Sequence, residues 1–89
     1  MFKVDLKNSV KKSIKDLPKA AFEEFELLVK DIELNGPIRY NWKNYGKLKG
    51  TNTHHCHIAH KWVVCWVETE KGIKIEVVYA GSRGSSPYA

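Results

Sequence analysis

Two runs, Trp62-Val63-Val64-Cys65-Trp66-Val67 and Ile73-Lys74-Ile75-Glu76-Val77-Val78-Tyr79, flank the short polar segment Glu70-Lys71-Gly72. Both are rich in β-branched and aromatic residues, which suit a pleated, half-buried surface, and a short glycine-containing turn joins strands that run antiparallel. The pair commits the C-terminal half of the chain to an antiparallel sheet. With the preceding stretch it predicts a meander of three strands, His54 to Ala59, Trp62 to Thr69 and Gly72 to Ala80. The tail from Gly81 onward is too rich in glycine and serine for a strand, yet it carries an isolated Arg83 and Tyr88.

The N-terminal half has a different period. Phe2, Val4 and Leu6 alternate with Lys3, Asp5 and Lys7, which predicts a short strand with one buried face. Asn8 or Ser9 can then cap a helix with Val10, Ile14 and Leu17 along one stripe, stopping near Pro18. Pro18 also suits the first turn of a second helix, in which Phe22, Phe25, Leu28, Val29 and Ile32 form the apolar face and Glu23, Glu24 and Glu26 mark the start. Asn35-Gly36-Pro37 ends it.

From Ile38 to Gly50 no period is sustained, and the segment reads as an ordered loop or short edge element. Its basic residues and aromatics could hold nucleic acid by charge and stacking, or Trp42 and Tyr45 could pin a long connection to the core. The order is βααβββ. The expected fold is α+β, two N-terminal helices packed on a small, twisted, mostly antiparallel sheet, with residues 1–89 as a single domain.

At 89 residues and 43% apolar content a second domain does not fit. No apolar run approaches the roughly 18 residues that cross a bilayer, and the first residues lack the apolar centre of a secretory signal, so a soluble, cytoplasmic protein without a membrane partner is expected. In that compartment Cys56 and Cys65 are expected to be reduced core residues. Lys and Arg outnumber Asp and Glu by 15 to 10, and the excess lies in Lys3 to Lys19 and Arg39 to Lys61. Such a surface suits a polyanion, although lysines that merely keep a small domain soluble give the same count.

All four histidines fall within Thr53-His54-His55-Cys56-His57-Ile58-Ala59-His60. On a strand, alternate side chains share a face, so His55 and His57 point one way while His54, Cys56 and Ile58 point the other, toward the expected core. A zinc site needs about four converging ligands, and the paired spacings that supply them are absent; no metal and no cofactor is expected. Two imidazoles beside cationic groups can instead move protons at a phosphodiester. The same pair also fits a solvated strand face.

Gly46-Lys47-Leu48-Lys49-Gly50, then His54 to Ile58, then Trp62 to Trp66, then Val78-Tyr79-Ala80-Gly81-Ser82-Arg83 and Pro87-Tyr88, in that order and spacing, resemble the RelE/ParE superfamily of bacterial toxins. More narrowly they resemble its RelE-like mRNA interferases. The match covers about the last half of the chain. The resemblance implies a toxin of a type II toxin–antitoxin system, an endoribonuclease that enters the ribosomal A site, cuts the mRNA codon there, and is neutralised by an antitoxin protein. DNA would be met only through an antitoxin complex.

By the same resemblance, the family's basic positions on the first meander strand fall on His55 and His57, its arginine after the last strand on Arg83, and its near-terminal tyrosine on Tyr88. These are the expected catalytic residues, with Lys47, Lys49, Lys61 and His60 as expected RNA contacts. Trp62 stands where many relatives carry an arginine. That departure leaves open a decayed toxin kept as an antitoxin-binding module; a ParE-like inhibitor of DNA gyrase is a separate alternative within the superfamily.

Overall fold

The structure is a computed structural model and describes residues 1–69 and 74–86. Strand β1 (Lys3–Leu6) leads into helix α1 (Asn8–Ser13), a 3-10 turn (Ile14–Asp16) and the long helix α2 (Lys19–Asn35). Strands β2 (Gly46–Lys47), β3 (Thr53–Ile58), β4 (Trp62–Thr69) and β5 (Lys74–Ser82) follow, and a second 3-10 turn (Arg83–Ser85) leaves β5. The α+β class and element order agree with the sequence, with β2 added at the edge. The expected turn over 70–72 lies outside the described residues.

The strands form one five-stranded sheet in the order β1-β5-β4-β3-β2. The meander pairs antiparallel, while β1 runs parallel to β5, with Val4 opposite Ile75 and Leu6 opposite Val77. Both helices cover one face. Their buried side chains, Val10 from α1 and Ala21, Phe25, Leu28 and Ile32 from α2, pack with Cys56, Ile58, Val64, Trp66, Ile75, Val77 and Ala80. Removing a large apolar side chain from water stabilises by roughly 1.5–3 kcal/mol, so this layer supplies the main driving force. Trp66, wholly buried, also satisfies its indole N–H on the Pro37 carbonyl, 3.0 Å away. No described helix is long and apolar enough to cross a membrane.

Several local expectations are corrected. Helix α1 is capped at Lys7, without a side-chain hydrogen bond, so neither Asn8 nor Ser9 caps it. Pro18 is the cap of α2 and lies before its first turn. Strand β5 runs on through Gly81 and Ser82, because their backbones still pair with Val63 and Trp62, a pairing indifferent to side-chain polarity.

Cys56 and Cys65 are free and buried, opposite Val64 and His55 respectively, so their side chains lie on opposite faces of the sheet. A register shift beside Cys65 and Trp66 leaves Val78 unpaired: Cys65 faces Tyr79 and Trp66 faces Val77. Strict alternation from Ile75 would turn Tyr79 into the core. The bulge moves it to the face without helices.

Candidate active site

Strand β3 divides the histidines by its two-residue period. His54 is fully buried on the helix side, its ring stacked on Trp66 with centroids 5.8 Å apart and planes 4° from parallel. Its Nε2 donates to Glu68 at 2.9 Å, and its Nδ1 accepts the Tyr45 hydroxyl at 2.7 Å. Both ring nitrogens are thereby committed to packing. His55 and His57, opposite Cys65 and Val63, are half-buried on the other face.

There they line a depression of about 210 Å³ with Leu48, Val63, Cys65, Arg83 and Ser86. Two residues along a strand separate α-carbons by roughly 7 Å, so the two imidazoles leave the strand side by side. Arg83 reaches it from the end of β5, where its backbone N–H bonds the Lys61 carbonyl at 3.0 Å. The Tyr79 hydroxyl donates to the Ser82 carbonyl at 2.6 Å and fixes the residue before the arginine.

Each histidine is set by a neighbour from the 38–50 connection. Gly46 pairs with His55, and a Cβ on Gly46 would stand 3.3 Å from the His55 Nε2; the absence of a side chain makes room for the ring. Asn44, in the left-handed region at φ 55°, places its Nδ2 3.1 Å from the His57 Nδ1. The backbone between them is anchored, since the His57 N–H bonds the Lys43 carbonyl at 2.8 Å.

Further back, Asp31 of α2 accepts from Arg39 at 2.9 Å, Asn41 at 3.0 Å and the Trp42 indole at 2.8 Å, which ties the connection to the helix. Trp42 and Tyr45 thus pin this segment to the core. Burial opposes the charge on Asp31, but donors from Asn41, Trp42, Asn35 and Arg39 outweigh it and hold the carboxyl far below its usual range.

Burial, with a smaller electrostatic contribution from the neighbouring His54, holds the His55 imidazole below its ordinary pKa. Burial acts first on His57 as well, reinforced by Arg83, His55 and Lys43. Both rings therefore favour the neutral, proton-accepting form at neutral pH. The Cys65 thiol is pushed up to about 11 by burial, against a hydrogen bond with Ser86, and is no nucleophile at neutral pH. Among the described residues no cluster of His, Cys, Asp and Glu could hold a metal ion.

A larger groove lies elsewhere, about 680 Å³ along α2, lined by Phe22, Phe25, Val29 and the 3-10 residue Ile14 with Glu23 and Glu26. It contains no imidazole and no arginine, so size does not mark the chemistry here.

No family model matches the sequence, and no curated protein does. Solved structures do. The archaeal RelE–RelB complex from Pyrococcus horikoshii superposes with a TM-score of 0.77 at 22% identity, over 96% of this chain and 98% of that one. The isolated E. coli RelE toxin gives 0.76 at 13% identity, over 98% and 89%. The YoeB–YefM complex from Staphylococcus aureus gives 0.72 at 16%, over 93% and 98%. This is the RelE fold.

On the RelE fold the expected residues separate into those that meet and those that do not. His55, His57 and Arg83 share the depression. Lys61, through its carbonyl, holds Arg83, and its exposed side chain lies in the same β3–β4 turn as exposed His60, whose φ of 70° is left-handed. Lys47 is opposite His54, so the register sends it toward the helix side at the sheet edge, away from the two site histidines; Lys49 is exposed in the following turn. Tyr88 lies outside the described residues.

Trp62 is opposite Ile58, half-buried against the core on the helix side. A side chain at position 62 does not face the depression. Asn44 and Lys43, and the contact of Gly46 with His55, are not foreseen from the sequence, because a segment without periodicity gives no facing; the one signal is an Asn able to take positive φ.

Proposed function

We propose that this chain is the toxin of a type II toxin–antitoxin system, an endoribonuclease that cuts mRNA in the ribosomal A site. The observation that carries the reading is the meeting of His55, His57 and Arg83 in one depression on the RelE fold. A neutral imidazole takes the proton of a ribose 2′-hydroxyl, and the 2′-oxygen attacks the adjacent phosphorus. The bond to the 5′-oxygen breaks, a proton returns to that oxygen, and the upstream fragment ends in a 2′,3′-cyclic phosphate. The Arg83 guanidinium offsets the charge that builds on the phosphorane oxygens. Tyr88 stacks on a base or orients the scissile phosphate.

Lys47, Lys49 and Lys61 contribute diffuse attraction to RNA phosphates, in keeping with a formal charge of +5, with His60 as a further RNA contact. Two of the similar structures are complexes with RelB and YefM, which supports an antitoxin as partner here; a toxin acting on ribosomes would work in the cytoplasm. Gyrase inhibition fits less well, since a binding surface gains nothing from imidazoles converging with an arginine.

In a cell-free translation extract the purified chain is expected to stop protein synthesis, with cleaved mRNA. The His55→Ala/His57→Ala variant is expected to leave synthesis running. Arrest by the parent with intact mRNA, or equal arrest by the variant, would overturn the reading.

A further inference from the structure

The two site histidines are not equivalent, and Asn44 is what distinguishes them. An amide nitrogen has hydrogens to give and no lone pair to accept with, so the 3.1 Å contact between Asn44 Nδ2 and His57 Nδ1 makes Nδ1 the acceptor. The proton of a neutral His57 then sits on Nε2. Position 44 is suited to this: its φ of 55° is one that Asn adopts more readily than most residues, and the flanking Lys43 carbonyl holds the His57 backbone. The charged groups around His57 act in the same sense. Lys43 from the connection, Arg83 from beyond β5 and His55 on its own strand all disfavour a second proton. The carboxylates across the neighbouring depression are Glu24 and Asp31 of α2, and Asp31 is already engaged by Arg39, Asn41 and Trp42.

His55 has a different setting. Its Nε2 faces the gap left by Gly46, and no hydrogen-bonding side chain among the described residues fixes its tautomer. It is free to receive a proton at whichever nitrogen meets substrate.

We propose that Asn44 is a positioning residue that holds His57 as a neutral Nε2–H donor to the phosphate, leaving His55 as the base that takes the 2′-hydroxyl proton. This rests on the ribonuclease reading above and deepens it. In the reaction the 2′-oxygen–phosphorus bond forms and the phosphorus–5′-oxygen bond breaks. The 2′-hydroxyl proton passes to His55, the 5′-oxygen takes a proton from water, and the resulting hydroxide is neutralised by the proton that His55 releases. Cleavage then needs His55 neutral and takes no proton from His57, so its rate rises with pH to a plateau through the neutral range; a His57 that had to be cationic to act as the acid would give a bell instead.

The test begins without activity. In long-range nitrogen–proton NMR spectra of the ¹⁵N-histidine-labelled chain, neutral His57 is expected as a single Nε2–H tautomer. Asn44→Gly removes the amide at a backbone angle that glycine accepts without strain, and is expected to give His57 a mixture of tautomers. Asn44→Asp, which keeps the turn and turns the partner into an acceptor, is expected to place the proton on Nδ1 and raise the His57 titration midpoint. A wild-type Nδ1–H tautomer, or spectra that neither variant changes, would overturn the proposal. The second arm is ribosome-dependent cleavage against pH. A plateau in the parent, with Asn44→Gly slowed several-fold and folded normally, supports the role; a bell whose upper limb disappears with His57 overturns it. The expected tautomer together with no cleavage by the parent would instead sink the ribonuclease reading, leaving the Asn44–His57 pairing intact and the catalytic role refuted.

Discussion

The His55 ring lies against the backbone of Gly46, so close that a β-carbon there would stand 3.3 Å from Nε2. Gly46 is paired with His55 across the sheet edge, so the ring's position is set by a strand of only two residues. Gly46→Ala is expected to push the imidazole by a few tenths of an ångström. Because transfer steps are sensitive to misplacement on this scale, cleavage should fall on the order of several-fold while stability changes by less than about 1 kcal/mol. Parallel cleavage assays and urea titrations check both halves.

The neighbouring histidines are expected to separate stability from activity. His54→Ala removes a fully buried ring and leaves the Tyr45 hydroxyl and Glu68 without their partner, which should cost about 2–4 kcal/mol in unfolding free energy. His55→Ala and His57→Ala, on the half-buried face, should unfold within about 1 kcal/mol of the parent yet lose roughly 10²-fold or more in cleavage. Denaturant unfolding of the single variants beside their cleavage rates makes the comparison. A His54→Ala variant as stable as the parent would contradict the structural role given to the buried network.

The facing of the histidines is legible in the sequence because a strand's period is two, and the apolar Cys56 and Ile58 identify which face is covered. Helix α2 was legible for the corresponding reason, its buried residues recurring at helical spacing. What could not be read depends on pairing and on close approach. Nothing in Gly81-Ser82 announces that β5 continues, since the bonds that extend it are backbone bonds to Val63 and Trp62. The bulge at Val78 turns Tyr79 out of the core against the alternation of Ile75 and Val77. Nor does the sequence say which way Trp62 faces; the register puts it with Ile58. Asn44 and Gly46 sit in a stretch whose path is drawn by Asp31, through three long-range donors that no local pattern encodes.

Asp31 gives the account a pH signature. Its carboxyl is held far below the ordinary value in the folded chain, so the unfolded state binds the proton first as pH falls. The stability it contributes is fully present above about pH 5 and is lost progressively on acidification through and below the unfolded value near 4. Asp31→Asn is expected to cost on the order of 3 kcal/mol at pH 7 and to flatten the acid slope. Thermal unfolding of both proteins between neutral pH and about pH 3.5 reads the difference. An equally steep slope in the variant would place the acid sensitivity elsewhere. Because the same carboxylate anchors the connection that carries Asn44, the variant should also slow cleavage at neutral pH.

His55 and His57, beside Arg83, are proposed to cut RNA presented by the ribosome. Primer extension on a defined mRNA, with purified protein, with and without programmed ribosomes, tests it most directly. Cuts within the A-site codon are expected, requiring the ribosome and vanishing in the His55→Ala/His57→Ala variant. Absence of cuts from folded parent protein, or the same cuts from the folded double variant, would contradict it.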